Sequence, residues 1–332
     1  MRIIERSRNT IRRLTRPIRP RKDRGRPSAV ILFYHRVAEL SSDFHGLAVS
    51  PGNFARHLEY LREACRPISL LDLVDCLRRG SLRDRSVVLT FDDGYVDNLR
   101  HAAPLLESTQ VPATVFATSG YTDGEREFWW DALEEMLLLS PRVPEQLELR
   151  VDGEEYRWRL RYPKDRRRVH VDIYRLLRPL EAGERDEILA HLADQLGGNR
   201  SMRDACRPMT AAELRHLTKS GLIDLGAHTV SHSMLSTMQP EVQRDEIAAA
   251  REMLESLTGR PVLAHAHPFG DFGDDTARIV QELGFAAACT GIPGLVQEGA
   301  DAFRLPRNAV MNWSGAAFRR CLEDFFHGEL PR

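Results

Sequence analysis

The sequence predicts an α/β fold with a mainly parallel sheet, open or closed into a barrel. Three observations predict it. Short apolar runs read as buried strands. Amphipathic helical stretches alternate with them. Clusters of Asp and His stand directly after the runs, at the strand ends where parallel α/β folds bind ligands.

The elements follow in order. Order begins with the apolar strand 29–34. Ser50 followed by Pro51 opens a helix, a capping side chain ahead of a first-turn proline, with Phe54, Leu58 and Leu61 on its inner face. A second strand, 86–91, leads into Asp92-Asp93-Gly94 and a helix reaching Leu105, and a third strand covers 113–117. Between about 125 and 207 the pattern changes: 147–160 reads as a hairpin turning at Asp152-Gly153, and charged helical stretches at 163–177 and 183–196 follow. This segment reads as an insertion or cap. The alternation then resumes, with strands at 222–226, 261–265, 285–289 and within 304–310, and helices at 241–257, 274–283 and 315–326.

Composition narrows the class. With 42% hydrophobic and 29% charged residues the chain is an ordinary globular protein, neither collagenous nor wholly disordered. Five cysteines without a CxxC pair read as free thiols, not a disulfide framework. A formal net charge of -1 gives no general attraction to nucleic acid, and no such partner is expected. The charge is uneven: residues 1–28 hold Arg12, Arg13, Arg16, Arg19, Arg21 and Lys22, among other arginines, against Glu5 and Asp23 alone. Two readings of this tail stay open, a disordered solvated segment and a basic segment resting on anionic lipid through Ile4, Ile11, Leu14 and Ile18. No apolar run reaches membrane-span length, and the N-terminus lacks the apolar core of a secretory signal. The expected location is therefore the cytoplasm, with peripheral contact at the inner membrane face under the second reading of the tail only. The expected division is a tail at 1–28 and a catalytic domain at 29–332.

The chemistry concentrates in two motifs. Asp92 and Asp93 leave a strand pointing in different directions, so one can hold a metal while the other takes a proton; the bland reading is a polar turn. In His228-Thr229-Val230-Ser231-His232 the histidines stand four apart, expected on one face of a helical turn and close enough to share an ion. With a carboxylate they make a set of two histidines and one carboxylate that leaves positions open for water and substrate. A polar helix face is the bland reading here.

These residues resemble a known family. Thr90-Phe91-Asp92-Asp93-Gly94 is similar to the first motif of the polysaccharide deacetylases, carbohydrate esterase family four, and His228-Thr229-Val230-Ser231-His232 to the second. His267-Pro268-Phe269-Gly270 resembles the third in its Pro-aromatic-Gly core, and Pro112-Ala113-Thr114-Val115-Phe116 matches the surroundings. The resemblance covers roughly 29–312. It implies a distorted, incomplete (β/α) barrel with a helical and hairpin insertion. It also implies removal of an N-acyl group, most often acetyl, from an amino sugar of a polysaccharide or lipid-linked glycan precursor. A divalent metal, usually zinc, would sit on Asp93, His228 and His232, with Asp92 as general base and the Phe269 N–H facing the oxyanion.

The chain departs from the family pattern in two places. Ala266 stands where the third motif usually has an arginine that orients the base; Arg307 is a surrogate for it, or a member of a surface ion pair. The usual C-terminal Leu-x-His motif is not evident, and His327 lacks its surroundings. One branch of the family opens with a strand ending Tyr-His, whose histidine is the general acid. Tyr34-His35-Arg36-Val37 resembles that branch and makes His35 the candidate acid, with His265 and His267 as rivals. Asp271 is a candidate substrate contact or a turn cap, and Trp129 and Trp130 a sugar platform or core. Two other functions are compatible: a metal amidohydrolase acting on a non-sugar amide, and a glycan-binding protein that does not turn over.

Overall fold

The computed structural model describes residues 27–197 and 202–330. Nearly all of the basic tail therefore lies outside the described residues. Among those described, no helix is long and apolar enough to cross a membrane.

The apolar runs form a curled half-barrel sheet. Its principal strands are β1 (Ser28–Tyr34), β5 (Ser86–Phe91), β6 (Ala113–Ala117), β9 (Ile223–Ala227), β10 (Ala264–Ala266) and β11 (Ala287–Cys289), in the spatial order β11-β10-β9-β6-β5-β1. All of these pairings are parallel. The short β12 (Val296–Gln297) and β13 (Asn308–Ala309) finish the sheet on β1, the first antiparallel and the second parallel. A further short strand, β4 (Arg66–Pro67), runs beside β5, while β2 (Arg36–Val37) and β3 (Ala48–Val49) pair apart from the sheet. The last expected strand is thus reduced to two residues, because Pro306 lacks the N–H a ladder needs.

Strand residues buried on both faces explain the continuous apolar runs. Alternate residues Val30, Leu32 and Tyr34 of β1, with Val87, Leu89 and Phe91 of β5, enter one core. Against it packs α1 (Pro51–Ala64), which Ser50 caps by accepting from the Asn53 N–H. Phe54, Leu58 and Leu61 of α1 are fully buried, each contributing about 1.5–3 kcal/mol. The other set, Ala29, Ile31 and Val88, joins Phe116, Ala264, Ala287 and the buried leucines of α2 (Leu70–Arg79). After β5 the chain makes a π-helical turn at Asn98–Ala102 before α3 (Ala103–Thr109), so the single helix expected there is split.

The segment between β6 and β9 builds its own hydrophobic cluster. It contains α4 (Trp129–Glu134), the hairpin β7 (Gln146–Val151) and β8 (Glu154–Arg159), and the helices α5 (Pro163–Leu177) and α6 (Ala182–Leu196). The hairpin turns at Asp152-Gly153, both with positive φ, as an Asp-Gly turn favours. Four further helices line the remaining crossovers and the C-terminal end: α7 (Ala211–Leu217), α8 (Pro240–Thr258), α9 (Asp274–Glu282) and α10 (Gly315–Phe326).

One glycine is set by a close approach. A Cβ on Gly226, in β9, would collide with the Phe116 ring and lie 3.1 Å from the Ala264 carbonyl oxygen. Phe116 is fully buried and has nowhere to retreat. Gly226→Ala is expected to destabilise the fold by about 1–3 kcal/mol, the usual cost of overpacking. Urea unfolding measures it; an unchanged midpoint would mean that Phe116 can yield.

Candidate active site

The sheet register brings the chemistry together. Tyr34 of β1 lies opposite Phe91 of β5, and the Asp92 N–H donates to the Tyr34 carbonyl at 3.0 Å, so residues 35 and 92 leave the sheet at one level. Ala117 of β6 lies opposite Ala227 of β9, and the His228 N–H donates to the Ala117 carbonyl at 3.0 Å. Phe33, His35, Asp92, Asp93, His228, His232, Phe269 and Arg307 consequently line one cavity of about 300 Å³. That volume is at the small end of the range for ligand pockets.

The two aspartates have separate partners. Asp93 takes a left-handed φ of 72°, and Gly94 follows with φ 81°. This turn points Asp93 at the histidines: its Oδ1 lies 3.6 Å from His228 Nε2 and 3.2 Å from His232 Nε2. Asp92 faces Arg307 instead, which donates Nη1 to Oδ1 at 2.7 Å and Nη2 to Oδ2 at 2.8 Å. Arg307 is fully buried. Its Nε donates to the Thr290 carbonyl at 2.9 Å, and Nη1 also reaches Thr90 Oγ1 at 3.2 Å. Arg307 is therefore a buried partner of Asp92 at the cavity wall and not a member of a surface ion pair.

Burial alone would raise the Asp92 pKa. The Arg307 charge, aided by His228, outweighs burial and holds the carboxyl well below the usual range. Asp93 is pushed up by burial and brought below its ordinary value by His232 beside it. Burial pulls His228 down to about 4, so its imidazole is neutral at pH 7, the form that ligates metals.

The donor set fits a divalent metal. One atom each from Asp93, His228 and His232 falls within 4.8 Å of the others. Buried Asp93 Oδ1 has no hydrogen-bond partner, which is costly unless something else meets it. His228 Nδ1 is hydrogen-bonded to the Ala266 carbonyl at 2.8 Å, which fixes the tautomer that leaves Nε2 turned to Asp93.

The histidine motif is not helical, contrary to expectation. Thr229 and His232 have φ of 61° and 55°, and the next turn forms only at Leu235–Thr237. The loop's backbone groups bond outward instead. The Thr229 and Val230 carbonyls accept from the N–H groups of Ser119 and Gly120 at 3.1 and 2.9 Å. A Cβ on Gly120 would sit 2.6 Å from the Val230 oxygen, so only glycine allows that approach. Glu246 of α8 accepts from the Val230 and Ser231 N–H groups, both at 3.0 Å.

The remaining candidates separate cleanly. His35 is half-buried at the cavity, and its carbonyl accepts from Asn98 Nδ2 at 2.9 Å. Next to it, Arg36 donates to Asp97 at 2.9 Å in a buried pair. His265 and His267 are fully buried and absent from the cavity lining. His327 caps α10, away from the cavity. Of the two readings of Asp271 the contacts match the turn cap: its carboxylate accepts from Ser236 N–H at 2.7 Å and Ser236 Oγ at 2.8 Å. Phe269 has φ 58° and sets its ring edge-on to His232 at 4.5 Å. Trp130 lines the cavity 4.6 Å from the His232 ring, held by its Nε1 donating to Tyr95 Oη at 2.8 Å. Trp129 is core, stacked on Tyr174.

His45, Leu47 and Tyr174 also line the cavity, and no sequence signal singled them out. His45 comes from the loop after β2 and Tyr174 from α5; their rings lie 5.0 Å apart, so loop and insertion meet at the cavity wall.

Comparison with known proteins agrees with this geometry. The family model for polysaccharide deacetylase matches residues 79–138 and 192–288, leaving most of the insertion unmatched. A Bacillus subtilis (strain 168) protein carrying the name polysaccharide deacetylase YxkH is 22% identical over 300 residues, 88% of this chain and 75% of that protein. The poly-β-1,6-N-acetyl-D-glucosamine N-deacetylase of Escherichia coli (strain K12) is 29% identical over 96 residues, 28% of this chain and 14% of that protein. Two solved structures share the fold. The Streptococcus pyogenes deacetylase PplD in complex with acetate has a TM-score of 0.59 at 17% identity, over 89% of this chain and 98% of that one. IcaB from Ammonifex degensii has a TM-score of 0.58 at 18% identity, over 91% and 98%. With two motifs meeting in one cavity at the strand ends, and the family model matched on both sides of the insertion, the chain belongs to the polysaccharide deacetylase family.

Proposed function

We propose that the protein is a metal-dependent N-deacylase, most simply an N-deacetylase, acting on an amino sugar of a polysaccharide or lipid-linked glycan precursor. The observation that carries this reading is the division of labour between neighbouring carboxylates in one cavity. Asp93 faces two histidines, and Asp92 is held ionised by a bidentate arginine. The named deacetylases among the relatives support the glycan as substrate.

Asp93, His228 and His232 would hold the metal, zinc being the expected ion. When bound, it supplies Lewis acidity, making water easier to deprotonate and the acyl carbonyl easier to attack. Asp92 takes the proton from the attacking water, and Arg307 keeps it in the ionised form this requires. The backbone N–H of Phe269 faces the developing oxyanion. His35, in the same cavity lining, delivers the proton that the leaving amine needs. Trp130 and Tyr174 add aromatic surface to the cavity wall against which a sugar ring can pack. Contact of the tail with anionic lipid would place the enzyme near a lipid-linked substrate.

Acetate release from N-acetylated glycans and lipid-linked sugars tests the proposal. Wild type with zinc is expected to release acetate. Asp92→Asn should lose about 10²–10⁴-fold in kcat, and His228→Ala should lose both bound zinc and turnover. A protein that binds zinc through His228 yet releases acetate from no glycan would sink the sugar substrate and leave another amide or a binding role.

The pH profile tests Arg307. Asp92 works only when ionised, so activity falls as pH drops through its pKa. Removing the cation that lowers this pKa should move the acid limb of kcat/KM upward in Arg307→Met, with Arg307→Lys between. Arg307→Met should also cost about 3–5 kcal/mol of stability, since it leaves a buried carboxylate unpaired. An unmoved limb in a folded variant would show that the guanidinium does not set the ionisation of the base.

A further inference from the structure

The loop carrying His232 has one brace that comes from the insertion. Arg185 lies on α6, within the stretch 139–191 that the family model leaves unmatched. Its side chain is fully buried, and Nη2 donates to the Ser231 carbonyl at 2.9 Å. That carbonyl belongs to the peptide joining Ser231 to His232, and its plane sets the direction in which His232 leaves the loop. The direction is an unfavourable one, since His232 has φ 55° and is not a glycine. The Thr229 and Val230 carbonyls are held from the turn just after β6, and the Val230 and Ser231 N–H groups from α8, parts of the barrel itself.

A surface ion pair does not explain this arginine. Among the described residues, its Nε and Nη1 have no hydrogen-bond partner and no carboxylate forms a salt bridge with it. The guanidinium lies over the Trp129 ring at 5.4 Å, and Trp129 adjoins the Trp130 that packs on the His232 ring. Burying a guanidinium with a single acceptor is unfavourable, so the side chain is not there for stability alone. The segment between β6 and β9 thus reaches His232 twice, at its backbone through Arg185 of the unmatched stretch and at its ring through Trp130 of the matched one.

We propose that Arg185 is a positioning residue for the metal centre, which makes the insertion part of the metal site and more than a separate cap. It holds the Ser231–His232 peptide so that His232 Nε2 faces Asp93. This rests on reading Asp93, His228 and His232 as metal ligands. Loss of the brace frees the peptide to rotate toward an ordinary negative φ, carrying the imidazole away from the carboxylate.

The test is metal affinity in the full chain, by competition of zinc against a chromophoric chelator and by the visible spectrum of bound cobalt. Arg185→Met is expected to bind about 10–100-fold more weakly, the usual effect of losing a group that orients a ligand. Its cobalt spectrum should change, and Arg185→Lys should restore part of both. Leu189→Ala, which loosens the same helix without touching Ser231, should lower the Tm and leave affinity and spectrum unchanged. Wild-type affinity and spectrum in Arg185→Met would overturn the proposal, as would an equal loss in Leu189→Ala. If Arg185→Met does not fold, Arg185→Lys decides by the same spectrum and affinity. Wild type failing to bind zinc or cobalt removes the ligand reading, and the role of Arg185 with it.

Discussion

The parallel register of β1, β5, β6 and β9 is the constraint on which the site depends. A parallel ladder fixes the level of each strand against its neighbours, and a slip of one residue would turn every side chain to the opposite face. Because Tyr34 lies opposite Phe91 and Ala117 opposite Ala227, the chain leaves the sheet with His35 beside Asp92 and with His228 next to the end of β6. None of these residues needs a long loop to reach the cavity. Precision comes from strand ends, whose positions the buried apolar faces of the sheet already determine.

Beyond the strand ends the backbone must find its own partners, and this explains the irregular loops. A helical turn after β9 would have satisfied its N–H and C=O groups internally, but it would also have fixed the two histidines on a helix face. The chain takes an extended, partly left-handed path, and its polar groups are met by Ser119, Gly120, Glu246 and Arg185. The same logic applies at Asp93, where a positive φ separates two adjacent carboxylates. Each departure from regular structure costs about 1–3 kcal/mol. The surrounding hydrogen bonds and packed core offset that cost.

The parts of this design that were legible in the sequence share a property: they are local. The strands at 86–91 and 113–117 were readable because their apolar runs are short and continuous, and the hairpin because Asp152-Gly153 is itself a turn. Asp92, Asp93, His228 and His232 stood out because their motifs are compact. What was not legible depends on distant contacts. Nothing local distinguishes Tyr174 or Arg185 from other residues of amphipathic helices; one lines the cavity and the other is buried because of where the insertion packs. Asp271 illustrates the converse. It adjoins a motif, yet Ser236, 35 residues earlier, claims its carboxylate. The helical reading of the histidine pair failed for a similar reason, because i,i+4 spacing is only a helix signal where the backbone bonds to itself.

That Asp92 takes its arginine from position 307, while position 266 is an alanine, shows how loosely an electrostatic requirement binds sequence position. What Asp92 needs is a cation at hydrogen-bonding distance with two parallel donors, and Coulomb attraction does not record which strand delivers it. Ala266, in β10, is fully buried between β9 and β11 and has only a methyl group to offer. Arg307 enters from the segment just before β13, and the Thr290 carbonyl fixes its Nε, so the fork meets both carboxylate oxygens. A lysine could supply the charge but not the fork, and a surface arginine could not remain dry. The buried, doubly hydrogen-bonded pair is therefore what must be kept, and the chain keeps it with a residue 41 positions further along.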